Sequence, residues 1–307
     1  PAVTMAPVAD RCVNSAAVAL TGGFPLGGSY SGAGVMNGMF NPSVAGVGSH
    51  TITYTYVNGS GCASSAQYTV NVSAQPSVSF AAPTAVCTNN GPVALSGGSP
   101  AGGTYSGAGV SGGMFYPSAV GAGSHNITYS YTDGNGCTST STATMTVFAI
   151  PQVSVAPVGA VCINGGNVSL SGASPAGGSY SGPGVVGSSF DPVAAGTGTH
   201  VLTYSYTNAN GCTNSTNFSV TVNPQPIASF AAVGPVCVNA SPFTLLAGQP
   251  GGGNYSGTGV SNNTFNPAIA GVGSHVITYT YTNALGCTDV VTQTVDVIAE
   301  PTVTLAA

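Results

Sequence analysis

One fixed period governs what this chain can become. Its eight cysteines fall into four pairs, Cys12/Cys62, Cys87/Cys137, Cys162/Cys212 and Cys237/Cys287, with one spacing inside every pair and one step from each pair to the next. So regular a period excludes one large, irregular core. It predicts a small module copied in tandem, in which each copy packs mainly on itself and its neighbours. Pro1, Pro76, Pro151 and Pro226 open the copies. The expected boundaries are 1–75, 76–150, 151–225 and 226–300, with 301–307 as the first strand of a following repeat. Those last residues, PTVTLAA, match the opening of a repeat, which reads as continuation of the array. A strand donated to the next subunit is the alternative.

Within a copy, the plainest local signal is a hairpin. His50, Ile52, Tyr54 and Tyr56 alternate with Thr51, Thr53 and Thr55, a period of two that marks a strand with one buried face. Asn58-Gly59-Ser60-Gly61 then turns the chain, and Tyr68, Val70 and Val72 alternate with Thr69 and Asn71 on the return. Upstream, Gly and Pro divide the sequence into shorter strands, about Ala2 to Ala6 and Ala17 to Thr21, with a loop from Asn41 to Gly48. No segment has a 3.6-residue apolar period, so essentially no α-helix is expected. Short strands, Gly/Pro turns and a long-range cysteine pair predict an all-β fold of four tandem immunoglobulin-like β-sandwich modules. The short Pro-containing junctions, such as Ser73 to Gln75, predict a linear rod. At about 35–40 Å per module it would reach roughly 150 Å.

Eight regularly spaced cysteines predict disulfides and an oxidising compartment. Repeat symmetry suggests bonding within each repeat, Cys12 to Cys62 and its equivalents, which uses all eight. Bonding across a junction, such as Cys62 to Cys87, would leave Cys12 and Cys287 over. Closing a loop of the Cys12–Cys62 length is worth about 4 kcal/mol in the chain-entropy model, a large contribution for a module with a limited core.

Charge narrows the function. The chain has one Arg, no Lys and six acids, and only 2% of its residues are charged. Without a basic patch, nucleic acid is excluded as a partner, and no apolar run approaches the roughly 20 residues of a membrane span. Low charge does not mean disorder here, because 14 Tyr and 10 Phe give the chain aromatic residues to bury. The lack of Lys also rules out Lys–Asn isopeptide cross-links.

No constellation of residues suggests catalysis. His50, His125, His200 and His275 recur singly, a module apart, on the inward face of a strand, which predicts a structural role. The acids share no position; paired-carboxylate hydrolysis needs two of them about 5–9 Å apart. The Gly-rich runs at Gly27, Gly102, Gly177 and Gly251 lack the following helix that a phosphate loop needs. The junctions offer at most one carboxylate, too few for a Ca²⁺ clamp. No metal, no cofactor and no enzyme activity are therefore expected. Tyr30, Tyr105, Tyr180 and Tyr255, beside Ser-Gly turns, are the candidate surface contacts. They suggest an alternative function as a multivalent array binding glycans or abiotic surfaces, one weak site per repeat.

The consensus string L-x-G-G-x-P-x-G-G-x-Y-S-G-x-G-V, then F-x-P, then A-G-x-G-x-H-x-I-T-Y-x-Y-T-x-x-x-G-C-T, is followed by every repeat with one or two departures, such as Val57, Val120, Leu202 and Ala247. It resembles the tandem repeats of large Bacteroidota cell-surface proteins, including gliding-motility adhesins exported by the type IX system. That resemblance implies a secreted, cell-surface, immunoglobulin-like stalk or filament whose partners are further copies of the same repeat or chain. In those repeats the turn before the second cysteine often carries Asp; here only Asp133 does.

Overall fold

The computed structural model describes residues 2–303. The expectation for 301–307 therefore lies largely outside the described residues. The fold is all-β, four tandem immunoglobulin-like modules with 48% strand and 5% helix. Repeat 1 runs β1 (Thr4–Met5), β2 (Arg11–Cys12), β3 (Val18–Ala19), β4 (Gly23–Phe24), β5 (Ser29–Ser31), β6 (Val35–Met36), β7 (Met39–Phe40), α1 (Pro42–Ala45), β8 (Gly48–Val57) and β9 (Ala63–Ser73). A four-stranded sheet, β2-β9-β8-β5, faces a three-stranded sheet, β3-β7-β6, while β1 and β4 form a short pair. The other three repeats have the same three-sheet arrangement. The chain divides into two compact units, Pro1–Ile150 and Pro151–Ala307, each holding two repeats.

The hairpin read from alternation is β8–β9. Its register includes His50↔Val70, Ile52↔Tyr68 and Tyr54↔Ala66. Ile52 and Val70 are fully buried and meet Leu20 and Phe40 from the opposite sheet. Each buried aliphatic or Phe side chain contributes about 1.5–3 kcal/mol, so one small cluster per repeat stabilises the sandwich. The Thr residues of β8 alternate outward, as a one-sided sheet requires.

The expectation of essentially no α-helix holds, apart from one short turn per repeat. A single helical turn, α1, occupies the loop predicted from Asn41 to Gly48, and Pro117–Val120, Pro192–Ala195 and Pro267–Ala270 repeat it. Asn41 Oδ1 accepts a hydrogen bond from Ser43 N at 3.1 Å, Pro42 occupies the first turn, and Gly46 ends it at φ +82°. This is a capped turn with Pro at its start. One such turn is too short to show a helical period. His50 lies half-buried just beyond, with Nε2 2.8 Å from Gly46 O.

The Gly-Gly-x-Tyr-Ser-Gly run builds a tyrosine anchor. Tyr54 is 2% exposed; its hydroxyl accepts from Gly28 N at 2.7 Å and donates to Pro25 O at 2.5 Å. A Cβ on Gly28 would lie 2.4 Å from Thr55 O and 2.5 Å from Tyr54 Cζ. Neither the backbone nor a ring locked in the core can withdraw, so Gly28→Ala should destabilise its unit by about 3 kcal/mol or more. Gly27→Ala, with open space around its Cβ, should cost less and act only through its left-handed φ of +96°. Urea unfolding of the two variants measures the difference.

Candidate functional site: the staple between modules

Strand β9 decides which cysteines can meet. Cys62 lies in the turn that leads into Ala63, at one end of β9. At the other end, Cys12 pairs in register with Ser73. The strand's 11 residues separate the two ends by about 35 Å, whereas bonded cysteines have Cα atoms about 4.4–6.8 Å apart. Cys12 and Cys62 therefore cannot bond within the folded module. This corrects the within-repeat pairing, and the same register in repeat 3, Cys162↔Asn223, separates Cys162 from Cys212.

Instead the bond reaches into the next repeat. Cys12 is bonded to Cys137, with Cα atoms 5.5 Å apart and a sequence separation of 125 residues. Cys162 is bonded to Cys287 with the same two values. Cys87 and Cys212 are disulfide-bonded as well. Cys62 and Cys237 carry free, exposed thiols, so the expectation that all eight cysteines are bonded holds for six. Junction bonding of the Cys62–Cys87 type is likewise absent.

The turns that carry the second cysteines are built alike. Asn58 Oδ1 accepts from Cys62 N at 3.0 Å, Asp133 Oδ1 from Cys137 N at 2.8 Å, and Asn283 Oδ1 from Cys287 N at 3.0 Å. The residue before each cysteine is a Gly with a left-handed φ: Gly61 +78°, Gly136 +80°, Gly211 +79° and Gly286 +81°. That position is what Gly supplies cheaply. Around the Cys12–Cys137 and Cys162–Cys287 bonds, one repeat grips the other's turn. Gln75 Nε2 donates to Thr138 O at 3.3 Å, and Asn164 Nδ2 donates to Thr288 O at 2.9 Å. Cys137, Cys212 and Cys287 are fully buried.

Asp289, beside the Cys287 turn, holds the entry to repeat 4. Its carboxylate accepts from Ala228 N at 2.8 Å and Gln225 Nε2 at 2.8 Å. Its pKa is lowered, first by the backbone N–H of Ala228 and then by that of Val290. A depressed carboxylate pKa means these contacts persist throughout the ordinary carboxylate range. They are lost only as pH falls through the lower folded-state value. In an NMR titration the Ala228 amide shift should move with the Asp289 carboxyl, below the usual Asp range.

The tyrosines expected on the surface turn inward. Tyr30, Tyr105, Tyr180 and Tyr255 are half-buried. Their rings lie 4.7–4.8 Å from Tyr54, Tyr129, Tyr204 and Tyr279 respectively. Tyr30 Oη accepts from Gly23 N at 2.6 Å, and Tyr105 Oη from Gly98 N at 3.0 Å. Burial, then the nearby Tyr204, raises the pKa of Tyr180. Their Ser-Gly surroundings concealed that they pack on the hairpin tyrosine. The register Tyr30↔Tyr54 places each pair side by side.

Surface hollows of 160 and 340 Å³ are lined in part by Tyr255 and Tyr279 and by Tyr180 and Tyr204, respectively, and among the described residues no three His, Cys, Asp or Glu side chains converge. Among those residues no helix is long and apolar enough to cross a membrane.

No family model matches the chain, and no curated protein does. Solved structures similar to it include a Ca²⁺-stabilised adhesin that helps an Antarctic bacterium bind ice. That match has 16% identity and a TM-score of 0.36, covering 92% of this chain and 93% of that one. A 1.5-MDa bacterial ice-binding adhesin matches with 16% identity and a TM-score of 0.28, over 61% of this chain and 79% of that one. Immunoglobulin domains 1–5 of Sidekick-1 match with 10% identity and a TM-score of 0.24, over 97% and 80%. The structural neighbours are thus bacterial ice-binding adhesin repeats and immunoglobulin-like or cadherin extracellular domains.

Proposed function

We propose that this chain is a non-catalytic structural segment of an extracellular filament or cell-surface adhesin stalk, and that its task is to carry tension. One observation carries the reading: the bonds Cys12–Cys137 and Cys162–Cys287 leave only the short stretch from Cys137 to Cys162 between them. The covalent route from Cys12 to Cys287 therefore bypasses most of four modules. Much of the bypass is one strand, Thr138–Phe148, already extended and paired along its length.

A tether is useful where a chain is pulled, and disulfides persist outside the reducing cytosol. The resemblance to Bacteroidota surface repeats supports the same location. The reading as a glycan- or surface-binding array is not adopted, because the tyrosines on which it rested are half-buried, each packed on a buried hairpin tyrosine. Immunogold labelling of intact cells tests the proposal: label on surface fibres, with the cysteines oxidised in non-reducing extracts, is expected. A chain found reduced in the cytoplasm would sink it.

A further inference from the structure

Repeat 1 differs from its copies at one position of the core. Val86, Val161 and Val236 hold that position in repeats 2, 3 and 4, and each packs against the hydrophobic cluster of its own module. Repeat 1 has Arg11 there, the one basic residue of the chain. Strand pairing fixes the equivalence: Arg11 lies in register with Val72 as Val86 does with Val147. A cation is therefore half-buried where the other repeats place an apolar side chain.

The charge of Arg11 has no counterpart. Among the described residues, its Nε is the buried side-chain polar atom left without a hydrogen-bond partner. The neighbouring acid, Asp10, is committed elsewhere: its carboxylate accepts from Asn71 N at 2.9 Å and from Asn71 Nδ2 at 3.3 Å. An enclosed donor on a charged group costs free energy until an acceptor reaches it, and native folds leave few such groups.

Arg11 lines a hollow of 170 Å³ whose other walls include Met5, Val8, Val18, Leu20 and Tyr30. Repeat 2 has the corresponding hollow, walled by its own residues 81–84 and 93–97, with no charged side chain among them. Repeat 1 precedes it and contributes nothing to that wall. The hollow thus belongs to the module, and the cation is particular to repeat 1.

We infer that this hollow binds a short-chain aliphatic monocarboxylate, with the carboxylate on the Arg11 guanidinium and the hydrocarbon body against Met5, Val18 and Leu20. A planar guanidinium meets a carboxylate with two parallel N–H donors. No second cation stands by to neutralise a dianion, and the aliphatic wall suits a hydrocarbon tail. At 170 Å³ the hollow is smaller than the roughly 300–1,000 Å³ of drug-sized sites, which limits the ligand to a few carbons. Binding is non-covalent and needs no co-reactant. The inference is independent of the stalk reading.

Butyrate titrated into the chain should shift the Arg11 Nε–H signal in nitrogen-15 NMR, saturating with a Kd of about 1 mM. With one Arg in the chain, that signal identifies itself. The Leu20 amide should move with the same midpoint in the wild type and stay fixed in Arg11→Val, a substitution that three repeats already carry. Arg11→Gln, which removes the charge and keeps a polar stem, should lose the shift as well. Sodium chloride at equal ionic strength and butan-1-ol should not reproduce it. A wild type without a saturable shift overturns the inference. So does a Leu20 shift that survives in Arg11→Val and Arg11→Gln, which would make the guanidinium irrelevant. A response matched by chloride or by butan-1-ol also overturns it, reducing the effect to screening or to apolar contact. None of these outcomes bears on the surface labelling that tests the stalk reading.

Discussion

Stretched between its termini with its disulfides intact, the chain should extend to about 200 Å and stop. The covalent route comprises only the segment up to Cys12, the segment from Cys137 to Cys162 and the segment after Cys287. Each residue adds at most about 3.3–3.6 Å. After reduction, all 307 residues enter the route and the limit rises about fivefold, to roughly 1,000 Å. Single-molecule force spectroscopy with and without a reductant reads both lengths. An oxidised chain that lengthens in successive steps of about 250 Å, one per repeat, would show that the bonds do not shield the modules. The usual extensible chain of sandwiches absorbs load by unfolding one domain after another. Here most of each of the four modules lies between bonded cysteines, outside the covalent route, and opening those parts would lengthen nothing.

Replacing Cys12 and Cys137 by alanine should destabilise the unit Pro1–Ile150 by about 5 kcal/mol, because it opens a loop of 125 residues in the unfolded state. Cys62→Ala should change stability by less than about 0.5 kcal/mol, since it removes an exposed, unpaired side chain. Guanidinium unfolding followed by tyrosine fluorescence compares the two. Equal effects would restore the within-repeat pairing and remove the tether on which the proposed function rests. The chain-entropy figure is large relative to the stability of a small domain, about 5–15 kcal/mol. Loss of this one bond should therefore also be visible as a pronounced fall in melting temperature.

The hairpin was legible in the sequence because its evidence is local. His50, Ile52, Tyr54 and Tyr56 declare a buried face by alternating with threonines, and the Asn-Gly turn fixes where the strand reverses. The partner of Cys12 was not legible, because it depends on which end of β9 the short strand β2 joins. So short a strand has no period to read, and β2 pairs parallel with a strand at the far end of its repeat. Periodicity alone allowed the short step from Cys12 to Cys62 as readily as the long one to Cys137. What excludes the shorter step is a distance along a strand. The length of β9 was readable, but the position of Cys12 beside Ser73 was not. Tyr30 was misplaced for a similar reason: its Ser-Gly surroundings resemble an exposed turn, but its neighbour across the sheet is the buried Tyr54. The helical turn at Pro42 was missed because one turn is shorter than the period that would reveal it.

The staple also bears on survival among proteases. A single backbone cut anywhere between Cys12 and Cys137, or between Cys162 and Cys287, leaves the two pieces joined through sulfur. A nick in an exposed loop there does not sever the molecule. Loss of continuity in those stretches requires reduction as well as cleavage, two unrelated kinds of damage.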